Sequence, residues 1–244
     1  MFKIDVDSTE AHRFLTDLER QHMPFARVLA ATRMAQRVRG GMLKVMRARL
    51  DRPTSTTMNS LFIRPATKAK PEARVWFKDQ WTTGIPADRY LQQAVHGGVR
   101  RHKRFEEALI AAGIMRRGQY AVPANDVLNA FGNAPRGLIT KVLSGLGAAE
   151  QRRGYQANAT NSRRSRRKGN AQRYFAAEID GTQGIWERRS TAWGDAVRPV
   201  FVFTSGAPGY RVAFPFFKIA ENMVKAHYGN ELRDALDHAV RTAR

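Results

Sequence analysis

The chain predicts an α+β protein, with long helices packed on a mainly antiparallel sheet and a basic, partly helical insertion. Three observations point there. Apolar residues recur at three- and four-residue steps near both ends, five short runs carry β-branched and aromatic residues, and cations concentrate between them. At 244 residues and 43% hydrophobic, the chain can bury a substantial core, as one large domain or two small ones.

The first element expected is a short helix in "DSTEAHRFLTDLERQ". Asp7 or Ser8 can cap it, Glu10 follows, and Phe14, Leu15 and Leu18 share a face. Pro24 opens a longer helix, in which Phe25, Val28, Leu29, Thr32, Ala35, Val38, Met42, Leu43, Met46 and Leu50 hold the apolar spacing. Gly40-Gly41 weakens its middle by about 1 kcal/mol per glycine relative to alanine, which predicts a kink or a close approach to another backbone. Pro53 ends it. "SLFIRPAT" and "EARVWFKDQ" predict a hairpin, and "QRYFAAEID", "GIWERRS" and "RPVFVFTS" predict three further strands. A closing helix follows from residue 215, with Phe217, Ala220, Val224, Tyr228, Leu232, Leu236 and Val240 on one face and a bend expected at Gly229-Asn230.

Residues 97–171 differ in kind. They hold Gly-Gly, several Arg pairs, a helical stretch "NDVLNAFGNAPRGLITKVLSGLG" and an Arg-rich run. From 100 to 168 there are fifteen Lys and Arg against four carboxylates, a surplus of eleven out of the chain's +21. The expected organisation is therefore a core built from 1–96 and 172–244, with 97–171 as a basic insertion. Such a charge repels itself at low salt and calls for an anionic partner.

Several classes of function fall away. Without cysteine there is no disulfide framework, no cysteine-based zinc site and no thiol nucleophile. The acid-containing start "MFKIDVDSTEAHRF" does not read as a signal peptide. No window reaches the roughly 18 apolar residues of a membrane helix. A soluble protein made in a cytoplasm, without membrane contact, is expected. "SGLGAAE" ends a helix and lacks the Gly-Lys-Ser/Thr of a phosphate-cradling loop. His12, His22, His96, His102, His227 and His238 form no ligand pair, so no metal site and no cofactor are expected. The strongest enzymatic reading is a metal-dependent nuclease using Glu178, Asp180 and Glu187, beside Arg188 and Arg189, if neighbouring strands bring them together. Charge balancing explains those acids more simply. The aromatics of "VFVFTSGAPGYRVAFPFF" read as core before they read as base-stacking platforms.

The run "NATNSRRSRRKGNAQ" sets Arg163, Arg164, Arg166, Arg167 and Lys168 within six positions, with no carboxylate. Ser, Asn and Gly interleave the cations, and the run has no apolar periodicity. It reads as a flexible loop that attracts polyanions without reading base sequence. Arg100, Arg101, Lys103 and Arg104 form a second candidate contact patch.

"GIWERR" with "RPVFVFTSGAPGYRVAFPFFKIAENMVKAHYGNELRDALDHAVRTAR" resembles a pattern of tailed-phage virion proteins. There a Pro-Val strand leads through a Tyr-Arg turn and an aromatic step into a final Ala-rich helix. "FARVLAATRMAQRVRGGMLKVMRARLDRP" resembles the Ala/Arg-rich helix and Arg-Pro break of the minor tail protein Z, or tail-completion, family. "YLQQAVHGGVRRHKRFEEALIAAGIM" and "YAVPANDVLNAFGNAPRGLITKVLSGL" are similar to phage structural proteins of this kind. The likeness covers most of the chain; its main departure is the insertion. It implies a head–tail connector, neck or tail-completion component with no active-site residues and no cofactor. It also implies a homo-oligomeric ring at the portal–tail junction, with the portal or adaptor and tail proteins as partners. The expected location is the virion, and the host cytoplasm during assembly. A ring around a DNA channel meets packaged DNA within a Debye length of about 8–10 Å, where positive charge helps and base reading does not. The rival reading is a sequence-independent DNA-binding protein or the nuclease.

Overall fold

The computed structural model describes residues 22–80, 84–149 and 157–242, together with Glu10, Thr16 and Arg20. The helix expected over 7–21 lies outside these described residues, apart from isolated positions. In chain order the elements begin with α1 (Met23–Arg49), α2 (Ser55–Met58), β1 (Leu61–Arg64), β2 (Arg74–Phe77), α3 (Ala87–Tyr90) and α4 (Gln92–His96). They continue with β3 (Gly98–Val99), α5 (Arg104–Ala111), β4 (Gln119–Pro123), α6 (Arg136–Gly145), α7 (Arg163–Lys168) and α8 (Asn170–Arg173). The last are β5 (Tyr174–Ile179), β6 (Thr182–Thr191), β7 (Gly194–Ser205), β8 (Gly209–Tyr210) and α9 (Phe216–Thr242). Mixed helix and antiparallel sheet make this an α+β protein. The chain divides into two compact units, one of residues 1–96 with 212–244 and one of residues 97–211.

The first unit rests on its two 27-residue helices. α1 and α9 run antiparallel, with Ala26 and Ala30 buried against Ala235 and Ala239. Methyl side chains let the backbones approach, while larger apolar groups are left at the rim. Burial follows the predicted face of α1, where Ala35, Val38, Met42 and Met46 are buried, but departs from that of α9. Phe25, Val224, Tyr228 and Val240 are partly exposed and Phe217 is largely so, whereas Ala26, Ala30, Met34, Glu231, Ala235 and Ala239 are buried. α1 runs unbroken through Gly40-Gly41 and α9 through Gly229-Asn230. Gly41 lies where an added Cβ would strike the Met223 thioether, so a side-chain contact replaces the kink. Further along, Met34, Val38, Met42 and Met46 pack with Leu61, Ala87, Leu91 and Phe214. Phe214 is 1% exposed and meets Phe77 edge-on at 5.8 Å. Burying such a ring contributes roughly 1.5–3 kcal/mol. The predicted hairpin is present, with β1 antiparallel to β2 from Leu61↔Phe77 to Arg64↔Arg74.

The second unit is built on a four-stranded antiparallel sheet of order β4-β7-β6-β5. The three predicted strands of the last third are all here, and Asp180-Gly181 joins two of them in a two-residue turn with both φ positive (49° and 71°). The fourth strand, β4, comes from within the expected insertion and pairs with β7 from Gln119↔Ser205 to Pro123↔Phe201. That pairing draws 172–211 together with 97–171, so the sheet does not belong to a core made from both chain ends. Pro199 sits at the irregularity between Ile185 and Trp186, beyond the end of β4, where a missing N–H costs least. Phe105 and Leu109 of α5 and Val142 of α6 pack on Ala121, Tyr174, Ile185, Val200 and Phe201. The helical stretch expected over 125–147 is interrupted. A short 3₁₀ turn at Asn125–Val127 is followed, after Gly132 and Pro135, by α6.

The distal part of the β6–β7 pair extends past the rest of the sheet. β5 pairs with β6 only as far as Glu187, and β4 reaches β7 only from Phe201. Residues 188–191 and 194–197 pair only with each other and are exposed throughout. Trp193 stands at the tip of this ribbon, 98% exposed.

Candidate functional site

Two carboxylates of the second unit are taken out of water, and each organises arginines around it. Glu106, near the start of α5, is fully buried. Arg100 donates to its Oε2 at 2.5 Å and to its Oε1 at 2.6 Å, and the backbone N–H groups of Lys103 and Ala121 donate at 2.7 and 2.8 Å. Burial alone would raise this carboxyl. The hydrogen bonds from Arg100, Lys103 and Ala121, with the Arg100 charge, outweigh that and hold it below the ordinary glutamate range. The Arg100 guanidinium also lies over the Tyr120 ring at 4.8 Å, and its side chain is only 10% exposed. Arg100 is therefore a fold-holding residue, which removes it from the expected contact patch; a neighbouring glutamate three helical positions in gave the pairing away only once the loop geometry was known. Arg101, Lys103 and Arg104 are exposed.

The run at 163–168 forms a helix where a loop was expected. Ser162 caps it by accepting from the Ser165 N–H at 3.2 Å, and Gly169 closes it in the left-handed conformation at φ 67°. Arg and Lys are good helix formers, and the capping residues on both sides define the turn and a half between them. All five cations are exposed and none has an ion pair among the described residues. Arg163, Arg164, Arg167 and Lys168 share one face at helical spacing and line a shallow concavity of about 590 Å³.

A second cationic concavity, of about 520 Å³, was not singled out from the sequence as a contact site. Arg173, Arg188, Arg189, Ser190 and Thr191 line it, at the root of the ribbon. Behind it Glu187, 2% exposed at its side chain, accepts from Arg173 Nε at 2.5 Å and Arg198 Nε at 2.6 Å, with Arg189 Nε at 3.4 Å. Arg198 also donates to Asp126 at 2.5 Å. Desolvation would raise the Glu187 carboxyl, but the hydrogen bonds from Arg198 and Arg173 and their charges bring it below its usual value. Arg188 lies 4.0 Å over the Phe175 ring and donates to the Gln172 carbonyl at 2.8 Å. The adjacent Glu-Arg-Arg of "GIWERR" was visible in the sequence; the strand register that brings Arg173 and Arg198 to the same carboxylate was not.

The carboxylates of the nuclease reading are spread apart. In the β5–β6 register Tyr174 faces Glu187 and Glu178 faces Gln183, which puts the two acids four residues apart along the hairpin, about 13 Å at strand rise. Glu178 accepts from Gln183 Nε2 at 3.1 Å. Among the described residues no three His, Asp or Glu side chains gather as a metal ion would require, and no helix is long and apolar enough to cross a membrane. His102 is bound to the Gln119 carbonyl at 2.9 Å and stacks on Tyr120 at 4.5 Å. Of the aromatic stretch, Phe201 and Phe214 are buried as expected of core residues, while Tyr210 and Phe217 are exposed.

No protein-family model, no curated protein and no solved structure matches the chain.

Proposed function

We propose that this protein is a structural component of a tailed-phage virion, a head–tail connector, neck or tail-completion protein that assembles as a homo-oligomeric ring at the portal–tail junction. It meets packaged DNA or acidic protein surfaces without reading sequence. The resemblance of the quoted segments to the tail-completion family supports this reading. The observation that carries it is the division of labour among charges. Glu106, Glu187 and Glu231 are buried against arginines, whereas Arg163, Arg164, Arg166, Arg167 and Lys168 stand exposed and without an ion pair among the described residues. With 42 Lys and Arg against 21 Asp and Glu the chain carries +21, as suits a protein beside a dense polyanion. α7, with no apolar face and six residues, is too short and too uniform to serve as a recognition helix.

The deciding experiment is purification of intact particles followed by quantitative mass spectrometry. The expected result is co-purification at a fixed copy number that is a multiple of a ring. Absence from mature particles overturns the reading. The rival nuclease reading is tested beside it: magnesium-dependent cutting of duplex DNA that is lost in the Glu178→Ala, Asp180→Ala double variant would replace the structural reading with an enzymatic one.

A further inference from the structure

We infer that the concavity lined by Arg173, Arg188, Arg189, Ser190 and Thr191 is a phosphate-binding site for the backbone of duplex DNA, acting together with the face of α7. The inference deepens the proposed function by naming a contact site at the ribbon root. Its first support is charge. Around this concavity stand Arg173, Arg188, Arg189 and Arg198 with three carboxylates, Glu187, Asp126 and Asp195, the last opposite Ser190 across the ribbon, so four cations meet three anions and a surplus of one remains.

The second support is preorganisation. Arg173 and Arg189 are held from behind by Glu187, yet their side chains remain 47% and 49% exposed. Arg188 is fixed by the Phe175 ring and the Gln172 carbonyl. A guanidinium carries five N–H donors, and these internal contacts leave donors for an outside ligand. Holding the forks in place beforehand removes much of the ordering cost of binding. Arginine forks and hydroxyls grip backbone phosphates, and here the forks and Ser190 can do so, since Thr191 gives its O–H to the Gly194 carbonyl.

The third support is spacing, which favours a polymer over a single ion. Lys168, at the end of the α7 concavity, lies five residues before Arg173, so at most about 18 Å of chain separates them. A duplex presents one negative charge per about 1.7 Å of axis, so one stretch of backbone supplies phosphates to both places. A lone phosphate fills one and leaves the other empty. An acidic protein surface does not supply charge at that regular density.

The test uses the full chain and a labelled 30-bp duplex of mixed sequence, with affinity measured from 50 to 200 mM salt. The Arg188→Gln, Arg189→Gln double variant is expected to lower the steepness of log K against log salt by about 1.8, since each phosphate contact contributes about 0.9. The Arg52→Gln, Lys225→Gln control, which neutralises two exposed cations elsewhere, is expected to leave it unchanged. An unchanged slope in the first variant, or no binding of the wild-type chain at 50 mM salt, overturns the inference. Displacement of the duplex by poly-glutamate at equal charge concentration also overturns it, in favour of an acidic protein partner. A second measurement needs no variant: the duplex should protect Arg188 and Arg189 of the wild-type chain from phenylglyoxal, read by mass spectrometry, and lack of protection rejects the site. Particle content separates the two readings. Loss of DNA affinity with normal incorporation is evidence for the virion role whatever happens to this site, and the expected slope change in a protein absent from particles leaves the site standing while the virion role falls.

Discussion

The two units solve the same problem, an arginine-rich chain that must still bury a core, in different ways. In the first, α1 and α9 close on alanines, and an ion pair between them, Arg37 with Glu231 at 2.7 Å, has an arginine 49% exposed. Removing that pair leaves most of the packing in place. In the second, Glu106 and Glu187 lie out of solvent, and each holds together segments distant in sequence: Arg100 and Ala121 for the one, Arg173 and Arg198 for the other. A carboxylate in such a place is expensive to strand, because its partners then become the uncompensated charges. Charge is thus peripheral to the fold of the helix pair and integral to the fold of the sheet unit.

The contrast breaks most directly by substitution. Glu187→Ala is expected to destabilise the sheet unit by on the order of 3 kcal/mol, since three arginines lose their common anion. Glu231→Ala, beside a half-exposed arginine, should cost on the order of 1 kcal/mol. Denaturant melts followed by hydrogen exchange, resolved by unit, measure both, and equal losses would erase the distinction.

Acid provides a second probe. The Glu106 and Glu187 carboxyls titrate below their unfolded value, near 4.3. The unfolded chain therefore binds protons first as pH falls, so their stabilisation is complete above about pH 4.3 and is lost as pH drops through the folded values. The sheet unit should lose exchange protection in that window, and Glu187→Gln should flatten the decline.

The smallest effect sharpens the account of the helix pair. Gly40 is exposed with nothing near its missing Cβ, so Gly40→Ala should stabilise α1 by about 0.5–1 kcal/mol. Gly41→Ala must displace Met223 and should gain less or lose. A thermal melt of the two single variants distinguishes them.

Periodicity made the long helices and the strands legible, because both patterns are local. It placed α1, α9, both hairpin strands and β5 to β7 close to where they lie. It placed the buried face of α1 but misjudged that of α9, since the alanine contact depends on a partner helix more than 200 residues away, and small residues give a weak signal. β4 was hidden because "QYAVP" is short, ends in proline and sits amid cations; only its pairing with β7 identifies it. The α7 cations were visible as a cluster, but their helix depended on Ser162 and Gly169 acting as caps. Arg100 looked equivalent to Arg101 and Arg104, and a carboxylate six residues on made it different. The ribbon-root concavity needed strand register, which no local pattern contains.

The bare indole of Trp193 has a practical consequence. Trp186 is buried and donates its ring N–H to the Ala177 carbonyl, so its emission should lie to the blue and resist quenchers. Trp193, bare at the ribbon tip, should emit to the red and be quenched by acrylamide as readily as a free amino acid, and the Trp193→Phe difference spectrum isolates it. The molecule thereby carries its own lamp at the end of the ribbon, one that would dim or shift whenever something settles there.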